Sequence, residues 1–182
     1  MPLILFISRE PNDGWGLLEG VKTYNPKWWK TGNWSIPLKA VSYIIGENHN
    51  VIKGRIESKC YSPIMLSYRY PLAIPNGISP QEKWRIRSTF NTRTHSDKLS
   101  RILNDYTIKL IIDHSGAQDK LIVNNKGNPK HIYLGTYFGD YGRIGKKLCP
   151  ELDKQIQLDP GLPKLIKEEV WSTWGPYFYD NR

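Results

Sequence analysis

The sequence contains only two cysteines, Cys60 and Cys149, 89 positions apart. A pair so sparse and so distant excludes a disulfide scaffold and points to a reducing compartment. No C-x-x-C pair exists, so no zinc site is expected. There is no apolar run near the ~20 residues that a membrane-spanning helix needs. The N-terminus, MPLILFISREP, lacks a basic leader region and a small-residue cleavage site, so it reads as a first strand rather than a signal peptide. A cytoplasmic location and no membrane partner are expected. Nucleotide signatures are missing as well. Gly142-Arg143-Ile144-Gly145-Lys146-Lys147 does not have the phosphate-loop spacing, and no glycine-rich dinucleotide fingerprint follows a strand. No G-x-S-x-G elbow is present. Acidic residues are also scarce, 17 against 26 Lys and Arg, for a net charge of +9.

That excess suits a polyanionic partner. It is uneven along the chain. Lys83 to Lys109 holds seven basic residues and two acids, and Lys120 to Lys147 holds six and one. From Glu151 onward six acids face four bases, so the tail points to packing or partner contact. With 182 residues and 39% hydrophobic content, the chain fits a single domain over 1–182, with 150–182 as a helical appendage.

Aromatic residues are plentiful, 12% of the chain. Three of the seven tryptophans, Trp28, Trp29 and Trp34, fall within seven positions. They lead into two β-branched runs, Ala40 to Glu47 and Val51 to Cys60, joined by Asn48-His49-Asn50. The pattern predicts a hairpin. On its second arm Ile52 and Ile56 share one face, and Lys53, Arg55 and Glu57 the other. Leu3 to Ser8 reads as a buried strand, and Ile108 to Ile112 is β-branched and strand-like. The aromatic fragment Met65 to Tyr70 reads as extended, and Trp84 to Thr92 alternates like a strand. Ser96 reads as the cap of a helix through Tyr106. Leu121 to Val123 and His131 to Phe138 flank Asn124-Asn125-Lys126-Gly127-Asn128-Pro129 and predict a second hairpin. Pro163 to Trp174 reads as the best late helix.

Aromatic faces among cations beside a sheet are what a nucleobase needs in order to stack and be held. Trp28, Trp29, Trp34 and Tyr43 are the stacking candidates. Lys30, Lys53 and Arg55 are the phosphate candidates, and Arg85 and Arg87 extend the basic surface. The competing reading is a tryptophan-rich loop that fills a small core. Two catalytic patterns also stand in the sequence. Glu57-Ser58-Lys59, with Glu47 ten residues earlier, suits a Mg²⁺-dependent nuclease in which carboxylates hold the metal and lysine steadies the attacked phosphate. The order Asp113-His114, Asn124/Asn125, His131 follows that of HNH nucleases, but His131 opens a β-like run where that motif needs a helix.

The run WWKTGNWSIPLKAVSYIIGENHNVIKGRIES resembles the PUA-like superfamily, which includes EVE, ASCH and YTH domains. More narrowly, it resembles N-terminal domains of archaeal McrB-type proteins. The resemblance covers residues 3 to 60. It implies an α+β, mostly β fold: a curved mixed or antiparallel sheet, or partial barrel, with two to three flanking helices, including a late one near Trp171. It also implies a non-enzymatic reader with no cofactor and no metal. Such a reader recognises methylated DNA by flipping a base into an aromatic pocket. In such systems an AAA+ motor, carried in a longer protein, and a partner nuclease complete the restriction machinery. RNA binding is the alternative within the same superfamily.

Overall fold

The structure, a computed structural model, describes residues 4–9, 21–22, 35–59, 64–71, 74–75, 77–117, 119–134, 144–165 and 167–168. Three short apolar runs build the centre of one sheet. They are β1 (Ile4–Ser8), β3 (Ile64–Tyr68) and β4 (Leu110–Asp113), and nearly every residue in them is buried. Strands covered on both faces read as continuous apolar runs rather than alternating ones, which is the mark of a parallel sheet. The two-residue β2 (Val21–Lys22) and the half-exposed β5 (Lys130–Tyr133) lie at the edges. The order is β2-β3-β1-β4-β5. Four of these strands run parallel, and β2 joins antiparallel, Val21 opposite Ser67.

This overturns the expected PUA-like curved antiparallel sheet with two to three helices. The described α-helices include α1 (Ser35–Ile45), α2 (His49–Lys59), α3 (Pro80–Ser88), α4 (Thr92–Ile102) and α5 (Ile144–Leu158). The expected hairpin from Ala40 to Cys60 is the helix pair α1–α2. Ile36, Ala40, Val41, Ile44 and Ile45 are buried at helical spacing. Pro37 is tolerated because it lies in the first turn. Gly46 closes the helix at φ +71°, a left-handed position that glycine takes without strain. Asn48 Oδ1 then accepts from Asn50 N at 2.9 Å and caps α2. The buried pair Ile52 and Ile56 is spaced i, i+4, which fits a strand face and a helix face equally well.

Trp84 to Thr92 is not a strand either. Ser79 and Glu82 form a reciprocal capping box with Pro80 in the first turn, and this starts α3. The residue α3 buries is Arg87, so apolar periodicity could not reveal the helix. The following helix is real but begins earlier than expected. Asn91, not Ser96, caps it by accepting from Thr94 N at 3.0 Å. Leu121 to Val123 forms no strand, so the second hairpin is also absent. Instead β5 pairs in parallel with β4, with Ile111 opposite His131 and Asp113 opposite Tyr133. The connection is set by Asn125. Its Oδ1 accepts from Ile108 N and Gly127 N, and its Nδ2 donates to Leu103 O and Tyr106 O. Gly127 is required there, since a Cβ would lie 2.1 Å from Ile108 O. Residues 162–165 and 167–168 are helical, and the rest of the expected late helix lies outside the described residues.

The chain divides into two compact units. One comprises Met1–Ile4, Thr23–Met65 and Phe138–Arg182, and within it α1 packs on α2 and α5. The other comprises Leu5–Lys22 and Leu66–Tyr137. Among the described residues no helix is long and apolar enough to cross a membrane.

Candidate functional site

Among the parallel strands the chain order makes one reversal. It goes from β1 to its neighbour β3 on one side, then to β4 on the other. In open parallel sheets such a reversal leaves a crevice at the carboxyl ends of the two diverging strands, and ligands bind there. Here the reversal falls between the ends of β1 and β4. His114 N donates to Ile7 O at 2.8 Å, and Arg9 Nε donates to Ser115 O at 2.9 Å. The turn leaving β4 is tight. Asp113 Oδ1 accepts from Ser115 N at 2.9 Å and from Ser115 Oγ at 2.6 Å, and Gly116 follows at φ +67°.

Each strand end contributes a polar residue. After β1, Arg9 sets its guanidinium carbon 5.3 Å from the Trp84 ring centroid, and Arg87 from α3 comes within 4.5 Å of the same ring. After β3, Arg69 is 1% exposed and reaches Asp119. Its Nη2 donates to Asp119 Oδ2 at 2.5 Å and its Nη1 to Asp119 O at 3.1 Å. Its Nε is buried, with no hydrogen-bond partner among the described residues. At the end of β5, the Tyr133 hydroxyl lies 2.8 Å from His131 Nδ1, and Lys120 Nζ lies 4.7 Å from the Tyr133 ring centroid.

Register places Asp113, Tyr133 and His131 on one face of the sheet. Burial lowers the His131 pKa; Asp113 opposes that shift and Lys120 adds to it. Burial and Asp113 raise that of Tyr133, against Arg69. On that face, then, a neutral imidazole meets a protonated phenol at neutral pH. His114 turns to the other face, 5.6 Å from Phe6, where burial pushes its pKa down to about 4 with help from Arg9. A cleft of about 260 Å³ opens beside the same edge, between α4 and the segment after Lys120, with Arg93, Asp97 and Lys120 among its walls. Among the described residues no group of three or more His, Cys, Asp or Glu is placed to hold a metal ion.

The residues nominated from sequence that the structure describes are divided between the two units. Trp28, Trp29, Lys30 and Trp34 lie outside the described residues. Tyr43 is on α1, where its hydroxyl donates to Asp153 Oδ1 at 2.6 Å. Lys53 and Arg55 are on α2, with Lys53 Nζ 3.9 Å from Glu57 Oε1. Arg85 is exposed and Arg87 buried on α3, in the other unit. The nuclease pattern of Glu47, Glu57 and Lys59 loses its strand, because Glu57 and Lys59 are helical. The HNH-like order fails as well, since Asn125 uses its whole amide to hold the turn.

The site residues missed from sequence, Arg9, Arg69, Asp119 and Lys120, had one legible signal. ILFIS is followed by Arg9 and IMLSY by Arg69, so a buried run ends each time on a cation. Compared with known proteins, the chain matches no family model, no curated sequence and no solved structure.

Proposed function

We propose that the chain binds a small phosphate-bearing ligand, of the nucleotide class, in the crevice between the carboxyl ends of β1 and β4. The observation that carries this reading is the strand-order reversal with Arg9 leaving β1 and bridging to Ser115 O. Arg87, Arg69 and Lys120 add positive charge around the same edge, and Tyr133 and Ser115 supply hydroxyls there. The test is calorimetric titration with AMP, ATP and inorganic phosphate, for the wild type and for Arg9→Gln. A charge-assisted hydrogen bond is worth about 1.5–3 kcal/mol, so Arg9→Gln should weaken binding at least about tenfold. No binding at millimolar ligand, or equal affinity in the variant, overturns the reading.

A second reading is nucleic-acid binding, favoured by the +9 charge and by the exposed Arg85, Arg93, Lys98 and Arg101 of α3 and α4. On that reading methylated or plain duplex DNA, or RNA, binds tightly while mononucleotides do not, and affinity falls steeply with salt. The same titration, extended to those polymers, separates the two.

A further inference from the structure

Arg69 is an unusual residue to find buried. Its guanidinium is 1% exposed, whereas its partner Asp119 has a side chain 73% exposed. A buried charge is tolerated only when paired and hydrogen-bonded, and each unmade bond is unfavourable. Here two nitrogens are served by a single surface residue, through Oδ2 and the backbone oxygen, and among the described residues Nε has no partner. The guanidinium therefore has more donor capacity than Asp119 fills. A phosphate offers three or four acceptor oxygens and matches the planar fork of arginine in two-point contact.

The position of Asp119 adds to this. Asp119 meets Arg69 just past β3, and its neighbour Lys120 covers the Tyr133 ring at the end of β5. Those two strands are three spacings apart in the sheet order, about 14 Å at the usual strand separation. Consecutive residues thus reach both flanks of the carboxyl edge, on either side of the β1–β4 switch point.

We propose that Arg69 is the ligand's anion receptor and that the Asp119 carboxylate is a tethered stand-in for the incoming phosphate. Binding exchanges one anion for the other and releases the Asp119–Lys120 strap from the β3 side. The proposal rests on the crevice being a phosphate site. It assigns the residue that reads the anion and the contact that holds affinity down. An occupied receptor lowers apparent affinity by the fraction of molecules in which it is open.

The experiment is titration of inorganic phosphate and AMP into wild type, Asp119→Asn and Arg69→Lys, with circular dichroism to check folding. Asp119→Asn keeps an amide oxygen for Arg69 Nη2 and leaves the backbone contact to Nη1 in place, so it is the milder variant and carries the test once circular dichroism shows it folded, even if the buried Arg69 variant is not. The expected result is phosphate binding about tenfold tighter in Asp119→Asn than in wild type, a coupling of ordinary size. That gain should be absent in the Asp119→Asn, Arg69→Lys double variant. Phosphate binding to the wild type with no gain in Asp119→Asn overturns the latch and leaves the crevice reading standing. No binding to either protein overturns both.

Discussion

His114 makes stability depend on pH in a direction and amount that the structure sets. It is fully buried directly after β4 and packs against Phe6. Burial, reinforced by Arg9, moves its pKa from 6.5 to about 4. In the unfolded chain it titrates near its ordinary value of about 6.5. Between those two values the unfolded chain takes up a proton that the folded chain refuses. Stability is therefore full above about pH 6.5 and falls as pH drops towards 4. The gap of about 2.5 between the values corresponds to about 3 kcal/mol, with a slope no steeper than about 1.4 kcal/mol per pH unit. Carboxylates titrate in the lower part of this window, so the informative quantity is a difference between two proteins. Urea unfolding of wild type and His114→Gln is measured from pH 7 to pH 4.5. The wild type should lose about 2–3 kcal/mol more than the variant over that range. The imidazoles of His95 and His131, also lowered chiefly by burial, remain in both proteins and cancel. Parallel profiles for the two proteins would refute the burial argument.

Two further expectations concern the turn before β5. Asn125→Ala removes four hydrogen bonds at once and should destabilise by about 3 kcal/mol in urea unfolding, taking a net ~0.5–1.5 kcal/mol for each bond; a loss under about 0.5 kcal/mol would show that the amide is not holding the turn. Gly127→Ala drives a methyl group onto a backbone carbonyl rather than a flexible side chain, so it should cost about 2–3 kcal/mol; an unchanged unfolding midpoint would contradict that packing.

The sequence was legible where a run was both short and wholly apolar. Leu3 to Ser8 reads as a buried strand because no polar residue interrupts its apolar run, and β1 covers Ile4–Ser8; Ile108 to Ile112 reads as strand-like from its β-branched residues, and β4 covers Leu110–Asp113. It misled where one spacing serves two structures. Ile52 and Ile56 lie on one side of a strand and equally on one side of a helix, and only the cap at Asn48 tips the choice. In α3 the alternation of Trp84, Ile86 and Phe90 pointed to a strand, while the reciprocal Ser79–Glu82 cap gave the local sign of a helix. The turn at Asn124 to Pro129 was read correctly as a turn but not in its use. Nothing local distinguishes a hairpin from the return to a parallel strand. The difference depends on which strand is already in place beside β5.

The site was harder to read because register, not motif, assembles it. Successive residues on a strand face opposite ways. The adjacent pair Asp113-His114 is therefore split, with the carboxylate over Tyr133 and the imidazole over Phe6. His131, eighteen positions on, joins Asp113 only because β5 lies in parallel register beside β4. A motif search groups Asp113 with His114 and treats both as one chemical unit. The fold separates them into a buried carboxylate on the face of His131 and Tyr133 and a core histidine packed on Phe6. Arg87 shows the same logic from the other direction. The sequence pattern puts it on a strand face that extends the basic surface, and it is a buried helix residue against Trp84. There it shares an indole with Arg9, the first residue past β1. On the proposed phosphate reading, its part comes from that shared ring beside the end of β1 and not from exposure.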